Sequence, residues 1–228
     1  IIGVHPGDLA AIALLDKAYS EGEKDNHYLK RRENSTIIGL YPTKPYEYRF
    51  TNSVLDNGDA YKAADCFLVE LDSKTYGLEI VTQKGKKLAE KLNTQEVKEG
   101  LAAKILSKFK PSYGNEDLKK KIEEAKTKAK DEVSMPMKGE ELAKFLKGKE
   151  THEEWQKRAE KCFSCGSCVL VCPTCYCFDV QDEVELSLEK GERVRSWDGC
   201  MLSKFATVAD GHNFRNLAAD RLKHRVYR

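Results

Sequence analysis

Six cysteines fall within the sixteen residues from Cys162 to Cys177, a seventh is Cys200, and the eighth, Cys66, stands far upstream. The first four, Cys162, Cys165, Cys168 and Cys172, are spaced C-x2-C-x2-C-x3-C and are followed by Pro173. Three thiolates at intervals of three residues can reach three corners of an iron–sulfur cubane from one tight loop, and this spacing with its trailing proline is an iron–sulfur pattern. Soft thiolates favour iron–sulfur or zinc over hard cations. Gly166, lacking a Cβ, lets the backbone come close to the sulfurs. The spacing predicts one or two 4Fe–4S clusters.

Zinc is the structural alternative. Its sites usually pair two C-x2-C knuckles separated by about a dozen residues or more, or one knuckle with two histidines. Here three short gaps run consecutively into Cys-Pro. A disulfide framework would spread its cysteines to staple distant loops, usually in a shorter chain. In ferredoxins with two clusters the fourth cysteine binds the other cluster, and no second copy of the motif occurs in the 228 residues. Cys172 therefore either closes the first cluster or serves another. Cys175, Cys177 and Cys200 are the candidate ligands of that other cluster; the alternative reading makes them free, buried thiols. Cys66 reads as a small core residue. His212 reads either as facing a cluster or docking partner, or as a satisfied structural histidine. His5, His27, His152 and His224 show no ligand spacing with one another.

Composition narrows the function classes. Lys plus Arg is 39 and Asp plus Glu 37, a formal net charge of +2, which gives no sequence-wide reason to expect nucleic acid. Charged residues make up 33% of the chain, above the ordinary ~25% and indicative of a heavily solvated surface. The longest apolar run, Leu9 to Leu15, is seven residues, far short of the ~20 a membrane span needs, so no membrane insertion is expected. No phosphate loop, Ser-His-Asp set or Gly-x-Gly-x-x-Gly fingerprint is present, so flavin and nicotinamide chemistry would belong to a partner. The chain opens on Ile1-Ile2-Gly3-Val4 and closes on a basic amphipathic stretch without a stop signal, the look of a segment of a longer polypeptide.

The elements that must position the cysteines divide into three regions, and the expected fold is α+β. Residues 1–92 read as a small α/β scaffold. Ile1 to Val4 reads as a buried strand, His5-Pro6-Gly7 as a turn, and Asp8 as a possible N-cap for a helix over Leu9 to Tyr19. Thr36 to Leu40 reads as a short buried strand. Phe67 to Leu71 and Tyr76 to Val81 read as a hairpin about Asp72-Ser73-Lys74, and Lys84 to Leu92 as a helix. Residues 93–160 read as a helical region rich in Lys and Glu. Its stripe of Leu118, Ile122, Ala125, Ala129 and Val133 lies among charges, and the run Lys119-Lys120-Lys121 reads as a solvated face. Thr151 and Glu154 fit a capping box, which accounts for the paired carboxylates Glu153 and Glu154 without acid–base work. The helix that follows, with Trp155 and Ala159 on one face, delivers the chain into Cys162. Residues 161–228 read as a ferredoxin-like iron–sulfur module.

Three stretches carry a resemblance over nearly the whole length: Cys172-Pro173-Thr174-Cys175-Tyr176-Cys177-Phe178-Asp179, then Arg195-Ser196-Trp197-Asp198-Gly199-Cys200, then Gly211-His212-Asn213-Phe214-Arg215. They resemble the iron–sulfur electron-transfer family that contains the β subunit of soluble nickel–iron sulfhydrogenases and the corresponding iron–sulfur subunit of anaerobic sulfite reductase. Gly3-Val4-His5-Pro6-Gly7-Asp8-Leu9 is similar to that family's Gly-Val-Arg-Pro-Cys-Asp-Leu. The resemblance implies a cytoplasmic electron-transfer subunit that makes no bonds of its own. Its implied partners are a reductase subunit that binds flavin and NAD(P), and a hydrogenase or sulfite-reductase module. Against it stands an interaction module stabilised by zinc or a cluster, with no redox role. The chain departs from the family where family cysteines are matched by Gly7, Pro42 and, less closely aligned, Tyr48 and Phe50. The resemblance then implies an N-terminal region without a cluster.

Overall fold

The computed structural model describes residues 1–42, 50, 61–72, 75–94, 119–120, 123–124 and 136–227. Two compact units result, Ile1–Leu142 and Ala143–Arg228. Helices and strands are mixed in the manner of an α+β chain.

The first unit is built on strands β1 (Ile2–Val4), β2 (Ile38–Leu40), β3 (Cys66–Asp72) and β4 (Thr75–Ile80), hydrogen-bonded in that order. The first three are parallel, and β4 returns antiparallel to β3 with Leu68 opposite Leu78. Parallel neighbours need a crossover; helices α1 (Pro6–Ser20) and α2 (Asn26–Glu33) provide it between β1 and β2. Alternation along β3 sends Phe67 and Val69 to one face and Cys66 and Leu68 to the other. On the first face they pack with Leu9 of α1, Ile37 and Tyr41. On the second they pack with Ile38, Leu78 and Ala89, the last from helix α3 (Gln83–Thr94). Buried Asp65 ties the layers by accepting from the Ile37 amide and the Thr82 hydroxyl.

Two expectations for this unit are corrected. The first helix begins at Pro6, so Pro6 and Gly7 lie inside it, His5 stands at the N-cap and Asp8 sits in the first turn. Proline suits the first helical position because its φ is preset and its missing N–H would have no intrahelical partner. The opening strand is an edge strand, and its Ile1 and Ile2 are exposed rather than buried. The β3/β4 hairpin and α3 form where the sequence predicts them. Ser73 and Lys74 of the expected turn, and Leu118, Ile122, Ala125, Ala129 and Val133, lie outside the described residues, as do Lys121 and Tyr48.

After α4 (Gly139–Leu146), the second unit contains α5 (Glu154–Ala159), α6 (Ser167–Leu170), an antiparallel hairpin of β5 (Phe178–Val184) and β6 (Gly191–Trp197), and α7 (Ala218–Tyr227). Trp155 of α5 packs its ring on Tyr227 of α7, and Tyr227 donates to the Leu146 carbonyl. The capping box does not form. Lys149 already accepts from the His152 amide, so Thr151 lies within a turn; Glu153 is the N-cap, and the His152 ring accepts from the Glu154 amide. Glu153 and Glu154 instead pair with Lys157 and Arg158 one turn on. The β5/β6 hairpin has no counterpart among the elements expected from the sequence. Its sequence signal is the alternation of Phe178, Val180 and Val184, with Trp197 and Arg195 directly opposite the first two. No helix among the described residues is long and apolar enough to cross a membrane.

Candidate iron–sulfur site

The cysteine loop is hung from α5, whose C-terminal Ala159 carbonyl accepts from the Cys162 amide. Between Cys162 and Cys168 the backbone turns left-handed twice, at Ser164 (φ 52°) and Gly166 (φ 76°). A left-handed non-glycine residue is uncommon and marks a local constraint. Here it directs the Ser164 amide back to Cys162 Sγ, at 3.4 Å. At Gly166 the constraint is also spatial, since a Cβ there would stand 2.7 Å from Leu202 Cδ2. The Gly166 carbonyl then accepts from the amides of Val169 and Leu170 and opens α6.

The candidate ligands occupy graded environments. Cys165 and Cys168 are exposed, Cys162, Cys172 and Cys175 half-buried, and Cys177 and Cys200 buried. The Ser167 hydroxyl lies 3.3 Å from Cys165 Sγ, and hydrogen bonding from Ser167 holds that thiol below its ordinary value. At Cys172 burial acts upward, but the hydrogen bond with Thr174 and the neighbouring Arg225 charge leave the thiol lowered. Thiols displaced in this direction are those that supply thiolate ligands.

A small core ties the loop to the later cysteines. Val169, Cys200 and Met201 are buried together, with Cys162, Cys175, Phe205 and Leu222 packed against them. Cys175 Sγ approaches the Asp198 carbonyl at 3.9 Å, and the Asp198 amide donates to the Cys177 carbonyl. Cys175, Cys177 and Cys200 are thus neighbours of the loop and roots of the hairpin. Cys66 lies in the first unit's core, where burial and then Asp65 push its thiol up to about 11. Exposed His212 meets Phe214 edge-on at 4.6 Å and donates its amide to Asp210.

Sequence reasoning missed two arginines of α7. Arg221 is buried, donating to the carbonyls of Arg215 and Asn216 and to Ser164 Oγ. Arg225 donates to the Cys168 carbonyl at 2.9 Å, and its charge helps to lower the Cys172 thiol. Their signal was the four-residue spacing that puts both on one helix face.

This donor set fits an iron–sulfur cluster: four soft thiolates on one short loop with two left-handed turns, and lowered thiols at Cys165 and Cys172. Among the described residues no three His, Cys, Asp or Glu side chains gather closely enough to hold a single ion. A cubane engages each thiolate at a separate iron corner.

Residues 161–228 match the family described as the 4Fe–4S dicluster domain. Over 227 residues the chain is 34% identical to Sulfhydrogenase 2 subunit beta of Pyrococcus furiosus, an alignment covering 100% of this chain and 62% of that protein. The chain therefore spans about three fifths of the length of the curated relative it matches. No solved structure matches it. With 4Fe–4S clusters as its cofactor, the chain carries a 4Fe–4S dicluster domain over residues 161–228 and is similar along its length to a sulfhydrogenase β subunit.

Proposed function

We propose that the chain is an electron-transfer subunit of a multisubunit oxidoreductase. Cys162, Cys165 and Cys168 hold one 4Fe–4S cluster, and Cys172 is a ligand of this or an adjacent cluster. Cys175, Cys177 and Cys200 are a second tier of ligands. The observation that carries the reading is the Cys162–Cys172 loop itself, with its two left-handed turns and a thiol lowered at each of Cys165 and Cys172. A bound cluster supplies one-electron chemistry. The protein's share is to space the sulfurs, hydrogen-bond them and limit water, which together set the potential.

On this reading residues 161–228 form a ferredoxin-like module, residues 1–92 a scaffold and residues 93–160 a helical connection. Single electrons pass between a reductase subunit that binds flavin and NAD(P), and a hydrogenase or sulfite-reductase module. Support for an assembly comes from the relative, whose name makes it one subunit of a sulfhydrogenase. Free thiolate ligands need a reducing compartment, and we place the chain in the cytoplasm. The test is anaerobic purification followed by metal and acid-labile sulfide analysis and electron spin resonance of the reduced protein. A brown protein with a reducible signal is expected. A colourless, redox-silent chain with one equivalent of zinc would reject the reading in favour of an interaction module.

A further inference from the structure

Helix α7 sends two guanidinium groups toward the cysteine segment, and they do different things. Arg221 is committed to oxygen acceptors: the Arg215 and Asn216 carbonyls and the Ser164 hydroxyl. Arg225, one turn on and half-buried, is bonded to the cysteine segment itself. It donates to the Cys168 carbonyl at 2.9 Å, and Leu222, three residues back on the same helix face, packs against the core that holds Cys200, so the guanidinium feels the charges of Cys172, Cys168 and Cys200. These three cysteines come from different places in the chain: the body of α6, the residue after its C-cap, and the far side of the β5/β6 hairpin. Three thiolates converging on one side of a site repel one another, and a guanidinium among them relieves that repulsion. Arginine stays charged at every working pH, so its effect is constant.

We propose that Arg225 is a positioning residue of the iron–sulfur site, whose fixed charge among Cys168, Cys172 and Cys200 holds these sulfurs together and favours the reduced state of a bound cluster. The inference rests on the proposed function. Its physical basis is that reduction adds one negative charge to a thiolate-bound cluster, and a nearby cation stabilises the product more than the reactant. Net charge and hydrogen bonds to sulfur are established determinants of such potentials.

The test uses the full chain, purified anaerobically as wild type, Arg225→Gln, Arg225→Lys and Arg221→Gln. Iron and acid-labile sulfide are counted, and the cluster is titrated with dithionite while its spin-resonance signal is followed. Arg225→Gln shifts the midpoint to more negative potential by the same amount at every pH tested. Arg225→Lys, which keeps the charge, stays near wild type. Arg221→Gln loosens the fold without moving the midpoint. An unchanged midpoint in Arg225→Gln overturns the inference while leaving the cluster intact. If Arg225→Gln is recovered without iron, Arg225→Lys decides: retention of cluster and midpoint supports the inference, and loss of the cluster overturns it. A wild-type chain lacking labile sulfide removes the proposed function and this inference together.

Discussion

Gly199 lies against Val169 so closely that a Cβ on Gly199 would stand 2.2 Å from Val169 Cγ1. The contact joins the residue before Cys200 to the residue after Cys168, so two cysteine-bearing segments share one spacing. Gly199→Ala must push Val169 aside, and overpacking of this kind costs about 1–3 kcal/mol. Both tryptophans, Trp155 and Trp197, lie in the second unit, so denaturant unfolding followed by their fluorescence reads the effect. Adding Val169→Ala should recover part of the loss; a double variant no better than the sum of the two singles would refute direct contact as the cause.

Arg221 clamps the cysteine loop to the segment before α7. It is 4% exposed and makes three hydrogen bonds, while its Nε is buried without a partner among the described groups. Arg221→Met removes the charge and strands the Arg215 and Asn216 carbonyls. With charged hydrogen bonds worth about 1.5–3 kcal/mol each and some relaxation, a net loss of about 3 kcal/mol is expected. The same tryptophan-detected unfolding measures it, and a loss below the error of that measurement would contradict a clamping role.

What could be read in the sequence was what depends on local spacing. The cysteine loop follows from residue intervals alone, and β2, β3, β4 and α3 follow from short apolar periods. The misread positions were decided by context. Pro6 looked like a turn residue but serves equally at a first helical turn. Thr151 had a capping residue's chemistry but lay in a turn already closed by Lys149. The β5/β6 hairpin was hidden because its strands carry Asp182, Glu183, Glu192 and Arg193 among few apolar residues. Arg221 and Arg225 carry no local signal beyond the basic amphipathic pattern of the last stretch, since their partners Ser164 and Cys168 are each 57 residues away.

The cysteines themselves separate by metal analysis. Cys165 is exposed in the loop beside Ser167, whereas Cys66 is fully buried beneath α3. Cys165→Ala should lose about four irons per chain with their labile sulfide, one cubane's worth. Cys66→Ala should keep the wild-type content and the same spin-resonance signal. Iron lost from Cys66→Ala, with its fold intact by circular dichroism, would contradict a purely structural role for that thiol.

Cys66 also makes the first unit sensitive to alkali. Burial first, and the Asp65 charge second, raise its thiol from an ordinary 9.0 to about 11. The unfolded chain releases this proton near 9.0, while the native chain holds it until about 11. Between those values the native state binds more protons than the unfolded state, so stability falls as pH rises; below that window the thiol has no effect. Tyr28 is raised as well, by burial and then by its bond to Asp16, and its phenol adds an alkaline loss of the same sign. Only the difference between wild type and Cys66→Ala isolates the thiol, because Tyr28 is common to both. Thermal melts by circular dichroism across the window should show the wild-type midpoint falling more steeply with pH. Equal slopes in the two proteins would show that Cys66 does not bury a neutral thiol in the native state.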